Sequence, residues 1–340
     1  MKALHEIVLN AIEPYHLNSS GLHSLREAFP GKLQENAPLA RYTSSRLGGA
    51  ADALLEVNSS EELIDACRRL WSLQAPFVII GGGSNVLVSD AGVRGVALIN
   101  RAREAHFDPD STPAKVRAAS GANLGLIARQ AAAHGLAGLE WAVGIPGTIG
   151  GAVVGNAGAH GGDMAGNLLV AEILHRSHGK EDWTVDRLEY QYRSSILKRR
   201  APPMSKGVAW SRQTPEAIVL AAVLRLERGD PAQIQARMEA FTAQRHRTQP
   251  PGASMGSMFK NPPGDYAGRL IEAVGLKGFR IGDAQISDLH ANFFINRGRA
   301  TAWDVYRLIQ MAQRAVFEKF GVQLELEIEL VGDWQLVDEG

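Results

Sequence analysis

The stretch Gly144-Ile145-Pro146-Gly147-Thr148-Ile149-Gly150-Gly151-Ala152-Val153-Val154-Gly155-Asn156-Ala157-Gly158 decides how the chain is read. Glycine at this density means backbone that must approach something closely or adopt positive φ. Small apolar residues between the glycines suit one short helix. The N–H groups and dipole at the start of such a helix favour an anion. Sixty residues earlier, the apolar run Ala75–Ile80 reads as a buried strand. It runs straight into Gly81-Gly82-Gly83-Ser84-Asn85, and Val86-Leu87-Val88 follows as a second strand. Successive N–H groups in such a turn form a concave anion site. Either loop alone reads as a tight turn. Two of this length in one domain point to a diphosphate-bearing cofactor such as FAD. A Rossmann fingerprint needs a helix directly after the glycines, and a strand follows here. The Gly-Lys-Ser/Thr of a P-loop is absent.

Working outward, the glycines cluster at 48–49, 81–83, 144–162 and 252–282 of 340 residues. Helices are expected from Ser59 to Leu70, over Leu124–Ala133, over Ala232–Arg247 after the break Gly229-Asp230-Pro231, over Tyr266–Val274 and over Thr301–Phe320. Strands are expected at Ser44–Val57, Gly95–Ile99, Lys115–Ala119, Leu168–His175, Ala217–Leu226, around Gln285, at Asn292–Ile295 and over Val322–Val331. Helices and strands mix without regular alternation, which argues α+β with a boundary near 228–232. Residues 1–41 read as a helical extension and linker.

The composition excludes several classes. Apolar residues at 45% and charged residues at 21% are ordinary for a globular chain. The formal net charge of +0 implies no broad basic face for nucleic acid. No run of about 18 apolar residues suggests membrane insertion. The N-terminus lacks the features of an export signal, so a cytoplasmic protein is expected. The single cysteine, Cys67, permits no intrachain disulfide and reads as a core residue. No Cys/His pair or H-E-x-x-H spacing suggests a metal.

Four further stretches carry chemistry-bearing side chains. Gly252-Ala253-Ser254-Met255-Gly256 matches the G-x-S-x-G of hydrolases, but an elbow needs a strand before it and a helix after it. Prolines flank this one, so the match is read as a decoy. Gly256-Ser257-Met258-Phe259-Lys260-Asn261-Pro262 places a hydroxyl, an amine and an amide in succession, as a substrate loop or a surface turn would. Leu324-Glu325-Leu326-Glu327-Ile328-Glu329-Leu330 alternates strictly, which in a strand sets three carboxylates on one face. Tyr192-Arg193-Ser194-Ser195 offers an arginine for bidentate binding of a carboxylate, or an ordinary surface arginine.

Taken in order with Ser45–Asp52, Gly138–Gly151, Asn156–Gly158, Ala267–Gly282, His290–Asn296 and Leu324–Gly332, these segments resemble the UDP-N-acetylenolpyruvoylglucosamine reductase family over about residues 42–332. The resemblance implies a two-part FAD-binding domain of the vanillyl-alcohol-oxidase (PCMH) type over 42–228 and a C-terminal α+β substrate domain over 229–340. It implies FAD as cofactor and NADPH as co-substrate. The reaction would reduce UDP-N-acetyl-enolpyruvoylglucosamine to UDP-N-acetylmuramate in peptidoglycan precursor synthesis. Hydride would pass from flavin N5 to the enolpyruvyl β-carbon, and Ser257 would protonate the α-carbon. Arg193 would stabilise the substrate carboxylate, and Glu327 would assist the proton transfer or hold the substrate. Asn261 and His290 would contact substrate. The cofactor would rest on Gly81, Gly82, Gly83, Ser84, Asn85 and Val86, on Gly144, Ile145, Pro146, Gly147, Thr148, Gly150 and Gly151, and on Asn156 and Ala157. Partners would be small molecules only; the oligomeric state is left open, a monomer among the options. Asp283 stands where the family pattern has glycine. The stretch 196–216 lacks a tyrosine-bearing lid, as in the family's subgroup without that loop. An oxidase of the same cofactor fold is the rival reading, and it would tether its flavin through a residue such as His160.

Overall fold

The computed structural model describes Leu17 and residues 19–199 and 214–334. Much of the expected 1–41 extension, and residues 200–213 of the stretch read as lacking a lid, lie outside these residues.

The first lobe is a four-stranded sheet in the order Leu33–Pro38, Ala50–Val57, Val93–Asn100, Phe77–Ile80. The last three strands run parallel and the first is antiparallel. Helix Ser60–Ser72 covers one face. Its N-cap Ser59 accepts a hydrogen bond from the N–H of Glu62, satisfying one of the helix's orphan donors. Leu63, Cys67 and Leu70 on this helix pack with Leu55, Phe77 and Leu98 from the sheet. Each such buried leucine contributes about 1.5–3 kcal/mol. Burial also pushes the Cys67 thiol well above its usual range, so it is an inert core residue.

The second lobe is an antiparallel five-stranded sheet in the order Gly179–Trp183, Leu168–His175, Ala217–Arg225, Lys115–Ala119, Ala105–Asp108. Helices Leu124–Ala133 and Ile149–Gly155 pack on it around Trp141 and Met164. Leu174, Ile218 and Leu220 reach from this sheet into the first lobe's core, so the lobes share buried surface. Together they form the two-part domain that the family resemblance implies.

The third unit is an antiparallel sheet in the order Ala253–Ser257, Phe293–Asn296, Ala284–Ile286, Arg280–Ile281. It is backed by helices Ala267–Ala273 and Ala302–Phe320. A full capping box at Thr301 and Asp304 starts the long helix, and Gly321 in the left-handed region ends it. Helix Pro231–Thr248, N-capped by Asp230, buries Ile234 and Met238 against Val143. The final strand, Glu329–Val331, returns to pair in parallel with Val86–Val88 directly after the first glycine loop.

Several local expectations differ from the structure. Residues 33–38 form an edge strand, where Pro38 is tolerated because an edge leaves N–H groups unpaired. Residues 44–49 are irregular and a 3-10 turn spans Leu39–Tyr42. Residues 253–257 are a strand and not a loop. Residues 322–328 form no continuous strand; only a bridge between Leu326 and Phe259 precedes the short strand at 329–331. Alternation alone could not foresee this, because the backbone pairing stops at the bridge to 258–260 and side-chain donors take the Glu327 carbonyl. No helix among the described residues is long and apolar enough to cross a membrane.

Candidate active site

The two glycine loops pack back to back. A Cβ on Gly81 would lie 2.4 Å from the Thr148 Oγ1, and one on Gly82 would lie 3.2 Å from the Gly147 Cα. Ser84 closes the seam by donating from its hydroxyl to the Pro146 carbonyl at 3.2 Å. Among the described residues no protein group accepts the N–H groups of Gly82, Gly83 and Ser84. Orphan N–H groups in a left-handed turn form an anion nest. Gly81, Gly82, Gly147 and Thr148 line a cavity of ≈ 570 Å³ whose other walls include Arg103, Phe107 and Leu126. Backbone donors at one side, apolar walls and nearby cations fit a dinucleotide with a diphosphate. Gly83 has φ +60°, and a Cβ there would sit 1.9 Å from the Tyr42 carbonyl. Gly83→Ala is therefore expected to cost at least about 2 kcal/mol and to yield protein with little bound flavin, read from the melting temperature and the visible spectrum.

Asn156 ends helix Ile149–Gly155 in the left-handed region. Its side chain donates to the Gln191 carbonyl at 3.1 Å and accepts from the Ala165 N–H at 3.0 Å. It thereby fixes the turn Gln191-Tyr192-Arg193-Ser194, which is closed by reciprocal backbone hydrogen bonds of 3.0 and 3.1 Å. Arg193 occupies the third turn position with φ +54°, where glycine is usual. A bulky residue held there is strained.

From this turn the Arg193 Nε donates to Glu327 Oε1 at 2.9 Å, and its Nη2 donates to the Gly158 carbonyl at 2.7 Å. The pair joins stretches 134 residues apart. Burial raises the Glu327 carboxyl above the usual carboxylate range, against the opposing pull of Arg193, Lys198 and Lys260. The other two glutamates of the alternating run diverge: Glu325 pairs outward with Lys260 at 3.2 Å, and Glu329 faces Lys198 at 3.5 Å.

Ser257 is linked to this pair through the neighbouring backbone. The Glu327 N–H donates to the carbonyl of Met258, the next residue, at 2.9 Å. Strand 253–257 carries a bulge between Ser254 and Ser257, with Gly256 at φ +77°. Such a bulge re-aims the following side chain. The Ser257 hydroxyl has no hydrogen-bond partner among the described residues. Ser254 lies within the strand and no helix follows it, so the hydrolase elbow is absent.

Asn261 is exposed and its Oδ1 accepts from the Ala267 N–H at 3.1 Å, starting helix 267–273. The His290 Nδ1 accepts from the Asn292 N–H at 3.2 Å, and its ring packs on Phe293, the register partner of Ser257. His290 touches neither Arg193 nor Glu327 through any hydrogen bond, and burial lowers its basicity. Asp283 accepts from the Arg299 N–H at 3.0 Å, so the carboxylate that replaces a glycine organises a turn.

His160 stacks on Phe241 with ring centroids 4.2 Å apart, and its Nε2 is buried without a partner. It does not line the cavity beside the glycine loops. Acid precipitation is accordingly expected to release all the flavin into the supernatant, measured by its fluorescence. Two cations escaped the sequence reading. Arg245, half-buried against Gly144, pairs with no carboxylate among the described residues. Lys198 donates to the Glu327 carbonyl at 2.9 Å. Lys198 lies five residues after Arg193 on the short helix Ile196–Arg199, a spacing that could have paired them.

Known proteins resemble this chain over most of its length. The model of the UDP-N-acetylenolpyruvoylglucosamine reductase C-terminal domain matches residues 247–331, and that of an FAD binding domain matches residues 51–175. The UDP-N-acetylenolpyruvoylglucosamine reductase of Chloroflexus aggregans is 44% identical over 307 residues, covering 90% of this chain and 100% of that one. The protein of the same name from Rubrobacter xylanophilus is 41% identical over 317 residues, covering 91% of this chain and 98% of that one. The crystal structure of UDP-N-acetylenolpyruvylglucosamine reductase from Thermus caldophilus superimposes with a TM-score of 0.70 at 35% identity, covering 88% of this chain and 98% of that one.

Proposed function

The chain belongs to the UDP-N-acetylenolpyruvoylglucosamine reductase family, and from that premise we propose that Arg193, Glu327 and Ser257 form its reactive centre. It is an FAD-dependent oxidoreductase that uses NADPH to reduce UDP-N-acetyl-enolpyruvoylglucosamine in peptidoglycan precursor synthesis. When bound, the flavin supplies the hydride that the enolpyruvyl β-carbon accepts.

The protein's own residues answer the charge and the proton. Adding hydride to an enol ether conjugated to a carboxylate drives negative charge onto that carboxylate. A preorganised cation is worth most there, in a site shielded from water. Arg193 is that cation. Two of its N–H directions are already committed to Glu327 and Gly158, which fixes the guanidinium plane. Ionised Glu327 is the partner that holds this plane. The Ser257 hydroxyl, open on its bulge, donates the proton to the α-carbon and recovers one from water. A serine is a weak acid, but the charge-rich substrate is a strong base, so placement outweighs acidity. Asn261 and His290 border the substrate domain's side of the site. The reaction takes place in the cytoplasm, where both nucleotide substrates are available.

The Arg193–Glu327 pair, linked through the neighbouring backbone to an unpartnered Ser257 hydroxyl, carries this reading. The test is anaerobic. NADPH should bleach the bound flavin, and the enolpyruvyl UDP-sugar should restore its colour. A flavin that bleaches and stays bleached with this substrate refutes the assignment.

A further inference from the structure

We propose that Lys198 and Asn85 are positioning residues for Glu327, gripping its main-chain carbonyl from two sides so that its carboxylate meets Arg193. The inference rests on the reading of Glu327 given above.

Residue 327 lies at the end of the short bridge to 258–260, which uses its N–H but leaves its carbonyl to other donors. Two side chains supply them. The Lys198 Nζ donates at 2.9 Å and the Asn85 Nδ2 at 3.2 Å. The Glu327 N–H is fixed separately by the Met258 carbonyl at 2.9 Å. Both donors are themselves anchored. Asn85 accepts at its own carbonyl from the Glu329 N–H at 2.9 Å. The Lys198 N–H donates to the Ser195 Oγ at 3.4 Å, and that hydroxyl donates to the Val154 carbonyl at 2.6 Å.

The connections matter as much as the contacts. Asn85 closes the first glycine loop, and Val154 lies in the second glycine-rich stretch. The carbonyl of Glu327 is thus held by one donor from the first glycine loop and one tied to the second. Arg193 and Lys198 come from one short stretch and take opposite ends of the same residue, carboxylate and carbonyl. The charged groups facing the Glu327 carboxyl are Arg193, Lys198 and Lys260; Lys198 is shared with Glu329 and Lys260 with Glu325. Withdrawing the Lys198 charge removes one of the pulls that oppose burial, so Glu327 keeps its proton to higher pH. Since ionised Glu327 orients Arg193, the rate falls as pH drops through the Glu327 titration. That fall should begin at higher pH when Lys198 is neutral.

The experiment uses the flavin-loaded enzyme and follows both half-reactions against pH. Lys198→Met should slow reoxidation by the enolpyruvyl UDP-sugar about tenfold, the worth of one charge-assisted hydrogen bond. Its acid limb should move to higher pH, while flavin content and bleaching by NADPH stay unchanged. Lys198→Arg should restore both limb and rate. Lys198→Gln keeps a donor without the charge, so it should shift the limb with a smaller loss of rate, and it serves if the methionine variant fails to fold. Wild-type reoxidation and limb in Lys198→Met or Lys198→Gln overturn the proposal. An equal slowing of both half-reactions with an unmoved limb, as general destabilisation gives, overturns it too. Glu327→Gln separates the layers: wild-type reoxidation in that variant removes the reading of Glu327 itself.

Discussion

Ser257→Ala slows the reoxidation of reduced flavin by the enolpyruvyl substrate by about 10⁴-fold, the upper end of what one positioned proton donor contributes. Reduction of the flavin by NADPH keeps its wild-type rate, because that half-reaction needs no proton from this hydroxyl. Stopped-flow absorbance resolves the two phases. The substitution leaves folding nearly untouched, since no described residue hydrogen-bonds the hydroxyl and alanine suits a strand end. Gly256 and the bulge that aims residue 257 are unchanged. In deuterated solvent the slow phase of the wild type should carry a solvent isotope effect that the variant loses. Equal slowing of both phases would mean that Ser257 shapes the site and transfers no proton.

Arg193→Met removes the cation and strands an acid, so its effect spreads over two observables. Transition-state charge on the substrate carboxylate loses its chief counterion, and kcat/KM for the substrate should fall about 10²–10³-fold. Glu327 keeps its burial but loses its nearest opposing charge, so it takes up a proton at still higher pH. A like-shaped methionine preserves packing against Tyr192, whose ring centroid lies 5.2 Å from the Arg193 guanidinium carbon. Arg193→Lys should recover little. A lysine cannot engage Glu327 and the Gly158 carbonyl together through a planar fork. Kinetics with each half-reaction isolated, and a pH profile of the second, test both arms.

The cofactor half of the molecule was legible because its constraints are local. Gly81, Gly83 and Gly150 are glycines that the backbone demands, since their missing Cβ atoms would strike Thr148, Tyr42 and Ser120. Helix caps at Ser59, Asp230 and Thr301 are likewise written within a few residues. What escaped was long-range. Alternation over 324–330 gave no hint that Lys198 and Asn85, 129 and 242 residues away, would hold the Glu327 carbonyl. The same alternation grouped three glutamates that the structure sends to three different cations. Strand 33–38 was hidden because its burial is one-sided and only one of its residues is fully covered. The family resemblance marked His290 and Asn261 as substrate contacts, and both also serve the backbone of their own turns.

The parallel pairing of Glu329–Val331 with Val86–Val88 has a consequence for how the enzyme is born. The ribosome delivers the partner of the first glycine loop's strand almost last, after more than two hundred intervening residues. Contacts so distant in sequence form late, because loop closure must precede them. A nascent chain that has made both lobes still lacks the strand that completes 86–88, the Asn85 clamp and the acid it holds. Premature termination anywhere before residue 327 therefore yields a product without the reactive pair, and a half-made enzyme has no means of spending NADPH on this substrate.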